Sequence, residues 1–254
     1  MVQVASLFNQ LLQHFPRTEF AAMVRKHSAE RRAKGFNCWT QFVAMLFCQL
    51  SRTDSLREIC NGLSCCLGKL VHLGIDRAPV RSTLSYANKH RPAALFEDLF
   101  WTALHRFRQQ QLFGSRPTRF RFKNKLLSLD STTISLCLSL FPWASFKKTK
   151  GGVKAHVLLD HDDYMPRFVL ITTAKTTDVR TARAISIPSK SIVVSDRAYM
   201  DFPRFAHWNQ KGVYFVCRLP RYPLYEVLSE CPVPSRGNTL SDQIVRFTGR
   251  YSRQ

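Results

Sequence analysis

The pattern of apolar residues changes once along this chain, at the basic stretch GSRPTRFRFKNK. Before this stretch, apolar residues recur every three or four positions, as Phe42, Leu46 and Leu50 do, which places them on one face of an α-helix. After it, short apolar runs rich in β-branched residues alternate with turn residues and two helix-like pieces. Such a succession is typical of a mixed sheet flanked by helices. We therefore predict an α+β chain, with an all-α N-terminal region followed by a mixed α/β core.

Several helix boundaries are predicted in the N-terminal region. Ser55-Leu-Arg-Glu58 matches a capping box that begins a helix, and Asn61-Gly62 is expected to end that helix. The apolar stretch from Trp39 to Leu50 is too short to span a bilayer and is expected to be a buried helix. A long helix is expected from near Pro92 to Phe107.

The segment from Ser55 to His90 has the order helix, glycine-containing turn and polar second helix. A polar helix in this arrangement can contact phosphates and base edges in the major groove of DNA. Its candidate DNA-binding side chains are Arg81, Ser82, Thr83, Asn88 and Lys89. The alternative is a solvated helix face in a bundle, which explains the same polar residues equally well and stays open.

The net charge of the chain is strongly positive. Lysine and arginine number 38 against 17 aspartate and glutamate residues, which gives +21 at pH 7. The commonest polyanionic partner of a basic globular protein is nucleic acid, although ribosomal-type and membrane-surface proteins share the trait. Basic residues of the second half add to the candidate DNA contacts: Lys147, Lys148, Lys150, Lys154 and Arg197.

The cysteines and the N-terminal residues indicate the cellular compartment in which the chain is expected. The eight cysteines include no C-x-x-C pair, which argues against a zinc site and favours reduced thiols. The first residues lack the basic region and the cleavage site of a secretory signal. We therefore expect a cytoplasmic protein with no membrane partner.

Two carboxylates follow apolar, strand-like runs. Asp130 ends the run LLSL, and Asp196 ends the run SIVVS. If these runs are neighbouring buried strands, their C-terminal ends lie side by side, where the active sites of open α/β sheets collect. Paired carboxylates are hard oxygen ligands suited to Mg²⁺ or Mn²⁺, and two such ions about 4 Å apart would clamp the oxygens of a phosphodiester exchange. The alternative is that each aspartate is a turn or cap residue, as is common where strands end.

The other polar candidates are weaker. Asp160, Asp162 and Asp163 belong to a D-H-D-D-Y cluster that is expected to form a hairpin turn. Asp178 is expected to cap a helix, and His156 to be a structural histidine on a strand. No glycine-rich phosphate loop is present, and no pattern specifies a serine or cysteine triad.

Long strings of this sequence carry a resemblance to a known family. They are LDSTTISLCLSLFPWASFKKTKGGVKAHVLLDHD, SIVVSDRAYMDF and GVYFVCRL in the second half, with GFNCWTQFVAMLFCQLSRTDSLREI and RSTLSYANKHRP in the first. They closely resemble the DDE transposases of bacterial insertion sequences, in the insertion sequence 4 family and its subgroup with a Y-x-x-R-x-x-x-E-x-x-x-x-x-x-K signature. The resemblance covers essentially the whole chain.

The resemblance implies a ribonuclease H-like core in which Asp130 and Asp196 are the first two catalytic, metal-binding acids. A complete site in this family would hold two Mg²⁺ or Mn²⁺ ions. A metal-bound water would nick the end of the element, and the freed 3′-hydroxyl would attack target DNA. The implied partners are double-stranded DNA at the element ends and the target, and further transposase chains through self-association or association with the full-length enzyme. A bacterial protein of this kind would associate with the nucleoid when bound to DNA.

Two departures from the family pattern are visible. The usual D-R-G-Y is D-R-A-Y here, and Ala198 would cost about 1 kcal/mol if its backbone needs positive φ. The third motif is missing: Tyr164 is followed by Arg167, but Ile171 stands where the catalytic glutamate is expected. We therefore expect a chain truncated inside the β-rich insertion and catalytically inactive alone. The alternatives are a non-catalytic DNA-binding regulator or inhibitor of transposition, and a pseudogene remnant.

The resulting division of the chain has four parts. Residues 1–111 are expected to form a helical DNA-binding region, and residues 112–125 a basic connector. Residues 126–219 are expected to form the ribonuclease H-like core with the first two acidic motifs. Residues 220–254 are expected to begin the β-rich insertion.

Overall fold

The computed structural model describes residues 7–31, 33–66, 68–110, 120–136, 145–147, 150–235 and 237–249. The chain divides into two compact units, Met1–Leu112 and Phe113–Gln254. The seven cysteines within the described residues are free, and Cys137 lies outside them. Within the described part of the chain, no helix has both the length and the apolar character needed to cross a membrane.

The described residues of the first unit form helices, as the apolar spacing predicts. In chain order they are α1 (Leu7–Leu12), α2 (Arg17–Lys26), α3 (Cys38–Ser51), α4 (Leu56–Ser64), a 3₁₀ helix (Leu70–Leu73), α5 (Arg81–His90) and α6 (Ala93–Gln109). The stretch expected to be a buried helix forms α3, but only Cys38–Ala44 are buried and Leu50 is 54% exposed, so the prediction of burial is wrong for its C-terminal half. The predicted long helix is α6. Aromatic rings of α2 and α3 form the centre of one core, where the ring of Phe20 lies 5.3 Å from Trp39 and 5.6 Å from Phe42 between centroids.

Helix α4 begins at the predicted capping box but does not end where the sequence indicates. The N-cap hydroxyl of Ser55 accepts a hydrogen bond from the backbone N–H of Glu58 at 3.2 Å. The helix continues past Gly62 to Ser64. A Cβ at Gly62 would lie 2.9 Å from the ring of Phe47, so this glycine allows close packing against α3 and does not terminate the helix.

The second unit contains a six-stranded mixed sheet and a separate two-stranded sheet. Its described elements are β1 (Leu126–Leu136), β2 (Ser145–Lys147), β3 (Lys150–Asp160), β4 (Pro166–Thr173), α7 (Asp178–Ala182), β5 (Ile192–Ser195), a 3₁₀ helix (Arg197–Tyr199), α8 (Phe202–Gln210), β6 (Tyr214–Cys217), β7 (Tyr225–Glu230) and β8 (Gln243–Phe247). The strand order is β2-β3-β1-β5-β6, with β4 also pairing with β3. Strands β7 and β8 form the second sheet.

Strand direction changes at the centre of the larger sheet. Strand β3 pairs with β1 and β4 in antiparallel fashion, whereas β1, β5 and β6 run parallel. Leu127 and Leu129 of β1 and Val193 of β5 are buried against Phe205 and Trp208 of α8. The two central strands are therefore fixed by core packing on one face, which sets the positions of the residues at their ends.

Candidate active site

The parallel pairing of β1 with β5 places Asp130 next to Asp196. The last pair of this ladder is Leu129 with Ser195, and one aspartate follows each of these residues. The two runs are thus neighbouring strands, which is the condition under which the sequence places the two acids side by side. Asp130 does not end its strand, however, because the antiparallel pairing with β3 carries β1 on to Leu136.

Each of these two carboxylates uses one oxygen locally. Oδ1 of Asp130 accepts a hydrogen bond from the backbone N–H of Ser131 at 2.7 Å. Oδ1 of Asp196 accepts from the backbone N–H of Ala198 at 2.8 Å and so caps the short 3₁₀ helix, as the cap interpretation of this residue expects. Both side chains are exposed, and within the described residues no hydrogen bond reaches Oδ2 of either one. One oxygen of each aspartate is thus free to bind a cation.

A third aspartate, Asp178, lies in a polar cluster with Ser131, Lys154 and His156 on one face of the sheet. It is the first residue of α7, and Thr177 occupies the N-cap position, so the expectation that Asp178 caps the helix is wrong. Its Oδ1 accepts a hydrogen bond from Oγ of Ser131 at 3.0 Å. Nζ of Lys154 lies 3.2 Å from each of its carboxylate oxygens. The carboxylate of Asp178 is therefore held by a hydrogen bond from Ser131 of β1 and by an ion pair with Lys154 of β3.

The register of β1 against β3 explains how the cluster assembles. Ser131 is opposite His156 and Thr133 is opposite Lys154, so these side chains share one face of the sheet. Helix α7 then brings Asp178 over that face. No sequence pattern indicates this contact, because it depends on the pairing of two strands and on the placement of a later helix.

His156 is buried in the cluster, where hydroxyl groups and the carboxylate of Asp178 surround its ring nitrogens. Its Nε2 lies 3.0 Å from Oγ1 of Thr172 and 3.2 Å from Oγ1 of Thr181, and its Nδ1 lies 3.2 Å from the hydroxyl of Tyr199. Burial lowers the pKa of His156, and this outweighs the nearby carboxylate of Asp178. The structural role expected for this histidine agrees with these contacts.

Tyr199 belongs to the same cluster through the contact of its hydroxyl with His156. Its side chain is 1% exposed, and burial raises its pKa to about 12. The charges of Asp178, Asp130 and Asp196 act on the same phenol and also raise its pKa. A hydrogen bond with Ser131 acts in the opposite direction and lowers this pKa, but burial outweighs it.

The donor chemistry at Asp130 and Asp196 fits a hard divalent cation, because carboxylate oxygens are the ligands that Mg²⁺ and Mn²⁺ prefer. Within the described residues, no group of three or more histidine, cysteine, aspartate or glutamate side chains is arranged to hold a metal ion. The described part of the chain thus offers a pair of acids at this place.

All five DNA-binding candidates on α5 are exposed, but one of them is also bonded to a neighbouring helix. Arg81, Ser82, Thr83 and Lys89 are exposed, whereas Leu84 and Ala87 form the buried face. Asn88 is also exposed, but its Oδ1 accepts a hydrogen bond from Nε2 of Gln41 at 2.7 Å and so ties α5 to α3. The connection between α4 and α5 contains a 3₁₀ helix, and it is longer than the turn of a helix-turn-helix motif.

The basic candidates of the second unit differ in their surroundings. Arg197 is exposed directly beside Asp196. Lys154 is mostly buried and paired with Asp178. Lys148 lies outside the described residues, and only the backbone of Lys147 and Lys150 is described.

Two further sequence predictions concern the backbone of Ala198 and the D-H-D-D-Y cluster. Ala198 does not have positive φ, so its replacement of the usual glycine carries no backbone strain. The D-H-D-D-Y cluster forms the turn between β3 and β4, as predicted. Asp160, the last residue of β3, is buried and accepts hydrogen bonds from Lys125 at 2.7 Å and Arg167 at 2.6 Å, which makes it a structural residue.

Comparison with known proteins gives two family matches on this chain. Residues 3–76 match a family described as a domain of unknown function, DUF4372. Residues 121–251, just over half of the chain, match the family described as "Transposase DDE domain". This second match contains both Asp130 and Asp196.

Two curated relatives agree with the second match. "Putative transposase y4zB" of Sinorhizobium fredii is 30% identical over 141 residues, which is 56% of this chain and 37% of the relative. "Probable transposase for insertion sequence element IS5377" of Geobacillus stearothermophilus is 30% identical over 107 residues, 41% of this chain and 28% of the relative. The chain thus covers well under half the length of either relative. On the family match across residues 121–251, the chain belongs to the transposase DDE domain family.

Proposed function

We propose that this chain is part of an insertion-sequence transposase that binds the DNA ends of its element and contributes Asp130 and Asp196 to metal-dependent strand cleavage and transfer. The observation that carries the proposal is the parallel register of β1 and β5, in which Leu129 pairs with Ser195 and an aspartate follows each. This neighbourhood of two acids lies inside the region that matches the transposase family.

In this proposal the two aspartates are oxygen ligands of Mg²⁺ or Mn²⁺, which domains of this family generally use. A divalent ion bound there would lower the pKa of a water molecule and stabilise the charge that develops on the phosphodiester. The chain's own contribution is to hold the two carboxylates at fixed positions. Ser131 and Ala198 do so through their backbone N–H groups.

The strand order supports a ribonuclease H-like core for residues 126–219. Four strands in antiparallel pairings, β1 to β4, precede β5 and β6, which run parallel to β1, and the first acid lies on the central strand β1. We assign residues 1–111 to DNA binding because helices carry exposed basic side chains there, with residues 112–125 as connector. Residues 220–254, with β7 and β8, would begin the β-rich insertion of the insertion sequence 4 family.

A DNA partner follows from the family and is supported by the net charge of +21. The exposed candidates Arg81, Lys89 and Arg197 are the first we assign to it. Self-association on DNA and association with a longer transposase belong to the same proposal, since both element ends must be brought together for transfer.

A second candidate function is DNA binding without cleavage. It is favoured because the described residues bring two carboxylates to this place and form no three-acid metal site. The chain also has Ile171 where the Y-x-x-R-x-x-x-E pattern would place its glutamate. We therefore propose that these 254 residues are inactive by themselves and need a third carboxylate from elsewhere, so that alone they would act as a regulator or inhibitor.

A strand-nicking assay separates the two candidates. The purified chain is incubated with Mn²⁺ and DNA that carries the ends of its own element, and the same DNA is tested for binding. Binding without nicking supports the regulator function for this chain. Nicking that Asp130→Ala abolishes would overturn its inactivity and support full catalysis. Absence of both binding and nicking would contradict the transposase proposal.

A further inference from the structure

The first unit contains an open cleft of about 590 Å³ between α5 and the segment that joins α2 to α3. One wall is the joining segment, with Arg31, Lys34 and Phe36. The other wall is α5, with Tyr86 and His90 near its end. This volume is large enough for a nucleotide, since ligand pockets generally span roughly 300 to 1,000 Å³.

The cleft is positively charged. Arg31 and Lys34 are exposed, and within the described residues neither forms an ion pair. No carboxylate is among the described residues that line the cleft. Two cations with no carboxylate among the described residues that line the cleft favour the binding of an anionic ligand there.

The back of the cleft is held rigid by Arg91. Its guanidinium donates to the carbonyl of Asn37 and to Oε1 of Gln41, both at 2.9 Å, and also to the carbonyl of Phe36. The same group lies 5.0 Å from the centroid of the Phe36 ring. Arg91 therefore fixes the joining segment against α5 and is not itself available to a ligand.

An exposed aromatic surface stands on the α5 wall. Tyr86 is 66% exposed, and its ring stacks on the ring of His90 with centroids 3.9 Å apart and planes 21° apart. Nδ1 of His90 donates to the backbone carbonyl of Tyr86 at 2.9 Å, which fixes the imidazole in this stack. A large, oriented and solvated ring beside unpaired cations is a suitable platform for a nucleobase.

Hydroxyl groups complete the lining. Ser82 and Thr83 lie on the same wall and are exposed. Serine and threonine hydroxyls commonly contact phosphate oxygens together with lysine and arginine. Aromatic ring, hydroxyl groups and cations thus occur within one cleft, whereas the outer face of α5 at Lys89 has no part in it.

We propose that this cleft binds an unpaired nucleotide of DNA, with the base stacked on Tyr86 and the neighbouring phosphates on Arg31 and Lys34. An unpaired nucleotide is required because a base inside a duplex has both faces covered by its neighbours and cannot stack on a side chain. The inference deepens the proposed function, since it takes DNA as the partner and names the form of DNA that this unit prefers.

The test compares two labelled DNA probes by fluorescence anisotropy on the full chain. One is a single strand of about 12 nucleotides, within the site sizes of single-strand-binding folds, and the other is a blunt duplex. Tyr86→Ala should weaken binding of the single strand about tenfold and binding of the duplex by less than about twofold. Tyr86→Phe keeps the ring and should bind both probes as the wild type does.

Two further variants separate the cleft from the general charge of α5. Arg31→Gln with Lys34→Gln should weaken single-strand binding and reduce its salt dependence by roughly two phosphate contacts. Lys89→Gln, on the outer face of the helix, should lower the affinity for both probes equally. Far-UV circular dichroism confirms that each variant retains its helices.

Single-strand binding by Tyr86→Ala that equals wild-type binding would overturn the inference, even if the duplex is bound. Equal losses on both probes for Tyr86→Ala would overturn it too, because a stacking platform must discriminate between them. A wild-type chain that binds neither probe would instead contradict the proposed function, so the two failures are distinguishable.

Discussion

Oγ of Ser131 lies 3.0 Å from Oδ1 of Asp178, while the backbone N–H of the same serine donates to Asp130. One residue of β1 therefore joins a candidate metal ligand to a carboxylate on a separate helix. His156 and Tyr199 extend this network towards Asp196, since Nδ1 of His156 lies 3.4 Å from Asp178 and 3.2 Å from the hydroxyl of Tyr199. We expect Asp178 to stabilise the geometry around both acids without binding the metal itself.

Removing the charge of Asp178 should destabilise the second unit. Asp178→Asn retains the size of the side chain but leaves the ammonium of Lys154 without its partner, at a place where Lys154 is only 16% exposed. A loss of about 2 kcal/mol in the free energy of unfolding is expected, because a mostly buried charge loses its counter-ion. Urea denaturation followed by circular dichroism measures this loss.

The matched control is an exposed ion pair in the same unit. Arg246 lies 3.0 Å from Glu226, and both side chains are about half exposed or more. Glu226→Gln should change the free energy of unfolding by less than about 0.5 kcal/mol, because solvent already screens the pair. Equal effects of the two variants would show that the Asp178 cluster contributes no more than a surface contact.

Stability should fall in acid partly through Asp160. Burial alone would raise the pKa of Asp160, but hydrogen bonds from Lys125 and Arg167 outweigh burial and lower it. A carboxyl with a lowered folded-state pKa stabilises the fold above its unfolded pKa, near pH 4, and loses this contribution as the pH falls through its folded pKa.

Asp160→Asn should therefore be less stable than the wild type at pH 7, and its stability should depend less on pH below about pH 4. Urea denaturation of both proteins between pH 7 and pH 3 gives the comparison. Two stability curves that run parallel across this range would contradict a stabilising contribution from the ionised carboxylate of Asp160.

One glycine of the first unit should accept a side chain only at a cost. Gly74 has φ of +71°, and a Cβ there would lie 3.1 Å from Nε1 of Trp39, which is held by its hydrogen bond to the carbonyl of Leu73, whereas the tip of Arg17 at 2.6 Å can move aside. Gly74→Ala should cost about 2 kcal/mol from backbone strain and the contact with Trp39 together. Thermal unfolding of Gly68→Ala is the control, because Gly68 has φ of +69° with open space around it and should show the strain of about 1 kcal/mol alone.

DNA binding should be strongly salt-dependent and should involve the exposed face of α5. The log of the association constant should fall linearly with the log of salt concentration, because each neutralised phosphate releases counter-ions. Charge reversal at both Arg81 and Lys89 should weaken duplex binding and flatten this slope, as electrophoretic mobility shifts at several salt concentrations can show. An unchanged slope would assign this helix face to the bundle alone.

The adjacency of the two acids could be predicted from the sequence, whereas their surroundings could not. Asp130 and Asp196 each follow a short apolar run, and buried parallel strands end at the same edge of a sheet. Strand β1 continues to Leu136 because it pairs with β3, and the apolar run before Asp130 gives no sign of this pairing. The role of Asp178 arises from tertiary contacts between α7, β1 and β3, so a local pattern could only suggest a helix cap.

The C-terminal end of helix α4 also could not be predicted from the local sequence. Asn61-Gly62 is a common way to end a helix, and local sequence favours that interpretation. The helix instead continues to Ser64, and Gly62 lies in it against the ring of Phe47 of α3. A local turn signal contains no information about such a contact between distant residues.

The central claim, that Asp130 and Asp196 together hold a divalent metal ion, is tested most directly by Mn²⁺ binding. Electron paramagnetic resonance of free Mn²⁺ measures the affinity of the wild-type chain, Asp130→Asn, Asp196→Asn and the control Glu226→Gln. Each aspartate variant should bind Mn²⁺ about tenfold more weakly or worse, since ligand charge sets the affinity of such sites, and the control should match the wild type. Wild-type affinity in Asp130→Asn or Asp196→Asn would contradict the claim.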